Sequence, residues 1–399
     1  MGGMSYPELL ERFWREEARV LWGDVSDDEL VERVRPLVQA LSDRFTVDRA
    51  RAPELYGDDP ALRVAYGLFF FPQTFARAQL ALRECWRPPG GDAPVRILDI
   101  GAGTGAAGFA ALHLLGSRPA FLRAVDRAAR ALESLRAAAA ACRELWPQAV
   151  IEVARSDAAE ISTETGRDTV YDVILCSFAL SEIADQHARF DPMVWTRTLL
   201  SWLSPDGLLL ILEPALKSCA ERLEVMRDRV AMEGWGRIVG PCMHHAPCPL
   251  RAEGRFWCHE VRRWRPPPLA EKINRTLFRD LPNLKFSFLA LRRATDPSAS
   301  ATMPADARSP SGEGADDQRA RLVAPVVEQR GKFLTRGCFA DGRLREIELL
   351  TRHLRADARA AVDALERGSR VHIEIDRQLG NGGWRATSVV EIDSAAPCG

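Results

Sequence analysis

Lysine is nearly missing from this 399-residue chain: of 54 basic residues only Lys217, Lys272, Lys285 and Lys332 are lysines. The rest are arginines, set against 55 Asp or Glu, and the net charge is -1. No global basic excess marks the chain as a coat for nucleic acid, and the arginine bias with abundant alanine reads as GC-rich coding. Long apolar runs are also lacking. Stretches such as residues 68–71 and 208–212 fall far short of the roughly 20 residues that span a bilayer, so no membrane segment is expected. Residues 1–24 have neither the basic start and apolar run of a signal peptide nor the acid-poor bias of a transit peptide, which points to the cytoplasm. There is no internal repeat. In a reducing compartment the nine cysteines are not a disulfide framework and point instead to metal or catalytic roles.

What is present suffices for a full α/β domain with flanking modules: 46% of the residues are hydrophobic, enough for a sizeable core. Leu9, Leu10, Phe13 and Trp14, then Leu30, Val31, Val34, Leu37, Val38 and Leu41, recur at helical spacing and predict a helical N-terminal domain over residues 1–90. Pro88, Pro89, Gly90 and Gly91 break that pattern. Residues 91–293 alternate strands with helices, which implies a parallel sheet. Residues 294–317, rich in Ser, Pro, Ala, Asp and Gly, predict a flexible linker, because they bury too little to offset ordering entropy. In 318–399, strand-like residues 332–336 and 344–350 flank the turn pair Asp341-Gly342, with further strands at 371–375 and 386–392; a small β-rich C-terminal domain follows.

The first predicted strand of the α/β region runs into Asp99-Ile-Gly101-Ala-Gly103-Thr104-Gly105. Three glycines at alternate positions let bare backbone approach a ligand where a buried strand turns into a helix. The spacing differs from the dinucleotide fingerprint and resembles the first motif of class I methyltransferases, whose glycines face the amino-acid part of S-adenosylmethionine. By that resemblance Asp99 helps to hold the cofactor's amino group. Asp126, at the end of the next apolar strand, suits a carboxylate that accepts both ribose hydroxyls. Asp157 ends the third strand, where by family analogy it or the neighbouring backbone meets the adenine amine. The fourth strand leads into Ser177 and the segment to Ile183, where this fold places residues that face the methyl group. An ordinary tight βα connection is the bland alternative, and the two acids at successive strand ends favour the cofactor. No Asn-Pro-Pro-Tyr motif and no paired cysteines for cytosine chemistry are present, so the catalytic residues stay unassigned. Cys176, inside an apolar strand, reads as a small buried hydrophobe.

Cys242, Cys248 and Cys258 gather in a proline-stiffened insertion near residues 240–268 that also holds His244, His245 and His259. Thiolates brought together repel unless a cation neutralises them, so the insertion reads as a metal site. Zinc held by four cysteines, or by three and a histidine, is one reading. An iron-sulfur cluster prefers four thiolates, with Cys338 as the best fourth ligand. Partly buried, unligated cysteines are the third. The spacing is too wide for the compact triad of radical S-adenosylmethionine enzymes. Between residues 217 and 293 the balance is 16 Lys or Arg to 8 Asp or Glu. Arg262, Arg263 and Arg265 there surround Trp264, with Lys272, Arg275, Arg279, Lys285, Arg292 and Arg293 following. Such a set can grip phosphates while an aromatic stacks, or it can be a solvated arginine face over a core tryptophan.

Several separated segments together resemble one family. They are Phe45-Thr46 with Arg49, Tyr56, Ala65-Tyr66, Pro72-Gln73-Thr74, the glycine motif, Leu180-Ser181-Glu182-Ile183, Glu213-Pro214, Pro241-Cys242, Cys248-Pro249, Trp257-Cys258-His259, and Gly331-Lys332 before Cys338. The family is the ribosome-associated, methyltransferase-like family of the mitochondrial small ribosomal subunit and its bacterial relatives. The resemblance covers most of residues 40–350; Met243 and the Ala215–Ser218 turn depart from its pattern. It implies a Rossmann-like class I methyltransferase domain, S-adenosylmethionine as cofactor and a [4Fe-4S] cluster on Cys242, Cys248, Cys258 and Cys338. It also implies small-subunit ribosomal RNA, or the assembling small subunit, as partner. Two other readings stay open: a catalytically inactive RNA-binding assembly module with a structural metal site, and a methyltransferase for a small molecule or protein.

Overall fold

The structure is a computed structural model that describes residues 6–46, 57–160, 170–294, 318–380 and 382–392. The linker expected over 294–317, apart from Ala294, lies outside the described residues, as do Arg49 and Tyr56. Contacts divide the chain into two compact units, Met1–Glu213 with Trp264–Leu284, and Pro214–Arg263 with Lys285–Gly399. The N-terminal helices therefore share a unit with the first strands, and the cysteine insertion shares one with the C-terminal strands.

In the first unit, helices α1 (Glu8–Trp22), α2 (Asp27–Thr46) and α3 (Pro60–Cys85) precede the sheet. Asp59 starts α3 by accepting the N–H groups of Ala61 and Leu62, with Pro60 in the first turn where no N–H is needed. Most of α3 is apolar and buried, so it is a core helix rather than an amphipathic surface one. Gly67 is required there: a Cβ would stand 2.1 Å from the Trp14 ring of α1.

Five parallel strands follow: β1 (Val95–Ile100), β2 (Ala120–Asp126), β3 (Ala149–Arg155), β4 (Tyr171–Ser177) and β5 (Leu203–Glu213), in the order β3-β2-β1-β4-β5. Helices α4 (Ala106–Leu115), α5 (Ala129–Ala141), α6 (Leu180–Gln186) and α7 (Pro192–Ser201) alternate with them. The central strands are apolar runs such as Val173–Cys176, at most 1% exposed, because a parallel sheet is covered on both faces. The order reverses between β1 and β4, which opens a crevice at their carboxyl ends. This is the Rossmann-like class I methyltransferase topology expected. Helix α10 (Pro268–Leu277), from later in the chain, completes the unit against α2.

The second unit opens with α8 (Lys217–Glu233). Strand β6 (Gly236–Gly240) lies antiparallel to β8 (Asn283–Arg293), whose residues from Lys285 onward belong here; α9 (Pro249–Glu253) and β7 (Glu260–Arg263) intervene in sequence. Then come β9 (Arg319–Leu322), β10 (Val327–Gln329), β11 (Lys332–Phe339), β12 (Leu344–Leu350), α11 (Ala356–Asp363), β13 (Arg370–Gln378) and β14 (Trp384–Glu391). Strand β9 pairs with both β13 and β11, and β12 runs parallel to β14. The order β9-β11-β12-β14-β13 thus closes on itself. A five-stranded barrel with its helix between the third and fourth strands has the topology of the oligonucleotide- and oligosaccharide-binding fold. Its core is Leu322, Phe333, Phe339, Ile347, Leu349, Val371 and Ile373 with their neighbours. The turn at Asp341-Gly342, with Gly342 at φ 81°, joins β11 to β12 as its sequence predicts.

Candidate functional site

Two sites emerge, one in each unit. In the first unit, the chain leaves β1 through Gly101, Gly103 and Gly105, at φ 66°, 53° and 93°. This left-handed backbone strains any residue with a Cβ. At Gly101 a Cβ would also stand 2.4 Å from that of Ala179. Gly105 caps α4 without a side chain, and Asp99 does its work: one carboxylate oxygen accepts the Gly108 N–H at 2.8 Å. The other, Oδ1, is buried and has no hydrogen-bond partner among the described residues. Burial, with Asp126 nearby, pushes the Asp99 carboxyl up to about 7. Thr104 Oγ1 and Ser177 Oγ are likewise buried without a partner.

Asp126 accepts the Gly103 N–H and the Ala128 N–H, both at 2.8 Å. It holds the glycine turn against the tip of β2, and burial raises its carboxyl. Asp157 accepts the Ala159 N–H at 2.9 Å and faces His187 at 3.3 Å. It lies two residues past the end of β3. Asp126 is therefore bonded directly to the glycine turn and Asp99 to the first turn of α4; no bond links Asp157 or Ser177 to them among those described.

Phe178, which follows Ser177, holds a left-handed φ of 61°, a strained state for a bulky residue. The Arg77 guanidinium from α3 stands over its ring at 5.4 Å and also donates to Gln73. Burial lowers Arg77 to about 10. Sequence reasoning missed both, since neither a strained φ nor a contact across 101 positions has a local signature. Glu213, fully buried at the end of β5, accepts the Ser181 N–H at 3.2 Å. Cys176 is buried, and desolvation beside Glu213 and Asp99 holds its thiol well above the usual range.

In the second unit, Cys242, Cys248, Cys258 and Cys338 line one cavity together with His244, Pro241, Leu250, Val323 and Arg321. The topology explains the meeting: Cys338 lies on β11, and Cys248 packs with Leu250 and Val323 against Cys258, Cys338 and Leu344. Burial and the neighbouring thiols push Cys248 up to about 12 and hold Cys258 and Cys338 well above the usual thiol range. Without a cation these groups hold their protons. His244 Nε2 stands 3.3 Å from the Cys338 sulfur, and burial beside Arg227 lowers His244 to about 4. Among the described residues, no three His, Cys, Asp or Glu side chains converge as a single bound ion requires.

Helix α8 supplies the surroundings. Asp228 accepts the Cys248 N–H at 2.9 Å, and Glu224 accepts the Cys258 N–H at 2.7 Å. Arg227, 2% exposed, donates to the His244 carbonyl at 2.7 Å and to the Ala246 carbonyl, and its charge acts on Cys242. On the barrel side Arg321 pairs with Glu260 at 2.8 Å and donates to the Pro241 carbonyl. None of these partners was read from the sequence, where residues 217–233 enter only through the charge balance of 217–293.

The arginine-rich stretch pairs mostly with nearby acids, in part on the surface, with the Arg263 and Arg275 side chains 65% and 74% exposed. The Trp264 indole donates to the Leu281 carbonyl at 2.7 Å. Arg262 pairs with Glu260, Arg263 with Glu366, Lys272 with Asp28 and Arg275 with Glu271, while Arg279 donates to Gln39 and Ser42. Arg265 is exposed.

No curated protein matches the chain. Solved structures with some likeness include a Listeria monocytogenes protein described as a class I S-adenosylmethionine-dependent methyltransferase, at 15% identity and TM-score 0.37, covering 76% of this chain and 98% of that one. The plantazolicin methyltransferase BpumL in complex with SAH follows at 13% identity and TM-score 0.36, covering 67% and 99%. TrmN from Thermus thermophilus stands at 18% identity and TM-score 0.33, covering 56% and 52%. Scores this low carry no argument about the site. The family model described as mitochondrial small ribosomal subunit Rsm22 matches residues 60–365, which take in the glycine turn and all four cavity cysteines. By that match across most of its length, the chain belongs to the mitochondrial small ribosomal subunit Rsm22 family.

Proposed function

We propose that the chain binds S-adenosylmethionine at the glycine turn and acts on or with small-subunit ribosomal RNA, as a methyltransferase or within subunit assembly. The observation that carries the cofactor is Asp99: a buried carboxylate oxygen without a partner, beside a backbone turn stripped of side chains. A cofactor ammonium supplies the missing donor, and its positive charge draws the raised carboxyl into its ionised form. Bound, the cofactor supplies an electrophilic methyl group. The protein's residues orient it: Asp126 offers the second lone pairs of both its oxygens to the ribose hydroxyls, and Thr104, Ser177 and Asp157 border the same strand ends. Transfer to a good nucleophile needs alignment more than an acid or base.

Membership of a small-subunit family supports the RNA partner, as does a barrel topology that elsewhere binds oligonucleotides. Calorimetry with S-adenosylmethionine tests the cofactor: a clean absence of binding sinks the enzymatic reading. Release of S-adenosylhomocysteine with ribosomal RNA then separates catalysis from assembly alone. No product, with RNA binding retained after Asp99→Ala, makes the chain a catalytically silent module. Turnover on a small molecule or protein without RNA binding at low salt removes RNA as the partner.

We propose a [4Fe-4S] cluster for the cavity: four thiols gathered in one place suit a group that takes each thiolate on a separate iron, and zinc on the same sulfurs is the alternative. Iron and sulfide analysis with an absorption spectrum of anaerobically purified protein decides it: a colourless, zinc-loaded chain overturns the cluster.

A further inference from the structure

We propose that the face of α8 formed by Glu224, Arg227 and Asp228 is the outer shell of the cluster, in which Arg227 positions Cys242 and balances the charge of the bound group. This rests on the cluster reading above. The three residues stand at positions i, i+3 and i+4 and so share one helical face. A helix normally turns such residues to water, yet they are 5%, 2% and 7% exposed.

What they do while buried is specific. Asp228 accepts the Cys248 N–H and Glu224 the Cys258 N–H, while the charge of Arg227 acts on Cys242. The fourth cysteine is reached at one remove. Arg227 stands 3.3 Å from His244 Nδ1, and the opposite ring nitrogen of His244 faces the Cys338 sulfur. Arg227 also grips the His244 and Ala246 carbonyls, so it fixes the loop between the first two cysteines.

The charges have a direction. A four-thiolate [4Fe-4S] centre is an anion that becomes more negative when it takes up an electron, and nearby charge and hydrogen bonds to sulfur set its potential. Arg227 favours the reduced state, as does Arg321, which is buried and lines the cavity from the barrel side, while Arg251 pairs with Asp228 on its outer side. Glu224 and Asp228 oppose that state, both by charge and by keeping two cysteine N–H groups off the sulfurs. A framework that served folding alone has no reason to set buried charges against three cysteines one by one, since a buried ion pair adds little stability over an apolar packing.

The test uses the full chain, reconstituted anaerobically with ferrous iron and sulfide. Three quantities are measured: iron and sulfide per chain, midpoint potential, and the rate of iron loss to a chelator. Arg227→Met is expected to lower the potential by the equivalent of about tenfold in the reduction equilibrium, roughly 59 mV for one electron, and to speed iron loss about 10- to 100-fold. Arg227→Lys keeps the charge without the planar fork; its potential stays near the parent's while iron loss quickens. Glu224→Gln keeps an acceptor for the Cys258 N–H and removes a charge, so its potential rises at unchanged iron content. Arg227→Met matching the parent in both potential and iron loss overturns the proposal. So do shifts of the same sign in Arg227→Met and Glu224→Gln. Should Arg227→Met fail to fold, Arg227→Lys losing iron at the parental rate overturns it instead. A parent chain that takes up no iron sinks the cluster reading itself, and the outer shell falls with it.

Discussion

The two sites differ in how they treat polar groups. At the glycine turn, Asp99 Oδ1, Thr104 Oγ1 and Ser177 Oγ end without partners among the described residues. Around the cysteine cavity Glu224 Oε2 and Arg227 Nε also lack partners among the described residues, but there the loops are tied from outside: Glu224 and Asp228 each accept a cysteine N–H, and Arg227 holds two loop carbonyls. The first arrangement suits a ligand that arrives, satisfies stranded groups and leaves. The second suits a group that is built in and kept. Leaving a buried polar atom unpaired costs about 1–3 kcal/mol, so the first site is destabilised until its ligand binds.

Separate perturbation of the two sites is the strongest way to break this comparison. Cys338→Ser should remove most of the iron per chain, because a three-thiolate site is incomplete, while calorimetric affinity for S-adenosylmethionine stays intact. Equal iron content excludes Cys338 as a ligand. Asp99→Asn should weaken S-adenosylmethionine binding roughly 10- to 100-fold, as expected for a lost charge-assisted hydrogen bond. It should also stabilise the ligand-free protein. Asp99 rises from 3.8 to about 7 on folding, so the folded state holds the extra proton and stability falls as pH climbs from about 4 to about 7. At pH 8 the gain from Asn has a ceiling of about 4 kcal/mol, at 1.36 kcal/mol per pKa unit, and a chemical denaturation series would reveal a loss instead.

Gly101→Ala should cost about 1–3 kcal/mol through left-handed backbone strain, increased by the contact with Ala179, and should impair cofactor binding; an unchanged melting curve would contradict the geometry. The mildest effect is on pH. Because the ammonium needs an ionised Asp99, affinity should drop by up to about tenfold per pH unit below about 7 and level off above it. Titrations at pH 6 and pH 8 that agree would remove Asp99 as the counter-charge.

Much of the first site was legible because it is contiguous. A strand, a glycine turn and a helix lie within residues 95–115, and Asp126 ends the very next strand. Strand predictions there and in the barrel fell within a few residues of those observed. Asp157 was placed by analogy, and its described bonds are to Ala159 and His187 rather than to the turn. Trp264 and its arginines illustrate the opposite case: composition left open a phosphate-gripping patch or a solvated arginine face, and the folded chain ties the Trp264 indole to the Leu281 carbonyl and pairs Arg262, Arg263 and Lys272 with nearby acids while the Arg263 side chain stays exposed. Charge counts see residues, not partners.

The sequence alone determined the parallel order of elements, the glycine turn with Asp99, and the gathering of Cys242, Cys248 and Cys258 in one insertion, since apolar periodicity, the special backbone demands of glycine and short spacings act locally. Only the tertiary structure decided the rest. It closed β9 onto both β11 and β13, which brings Cys338 to the cavity of cysteines 80 to 96 residues earlier. It stood Arg77 over a strained Phe178 and turned the charged face of α8 inward onto the cysteine loops. Such contacts are set by packing between segments far apart in the chain, and no spacing rule encodes them.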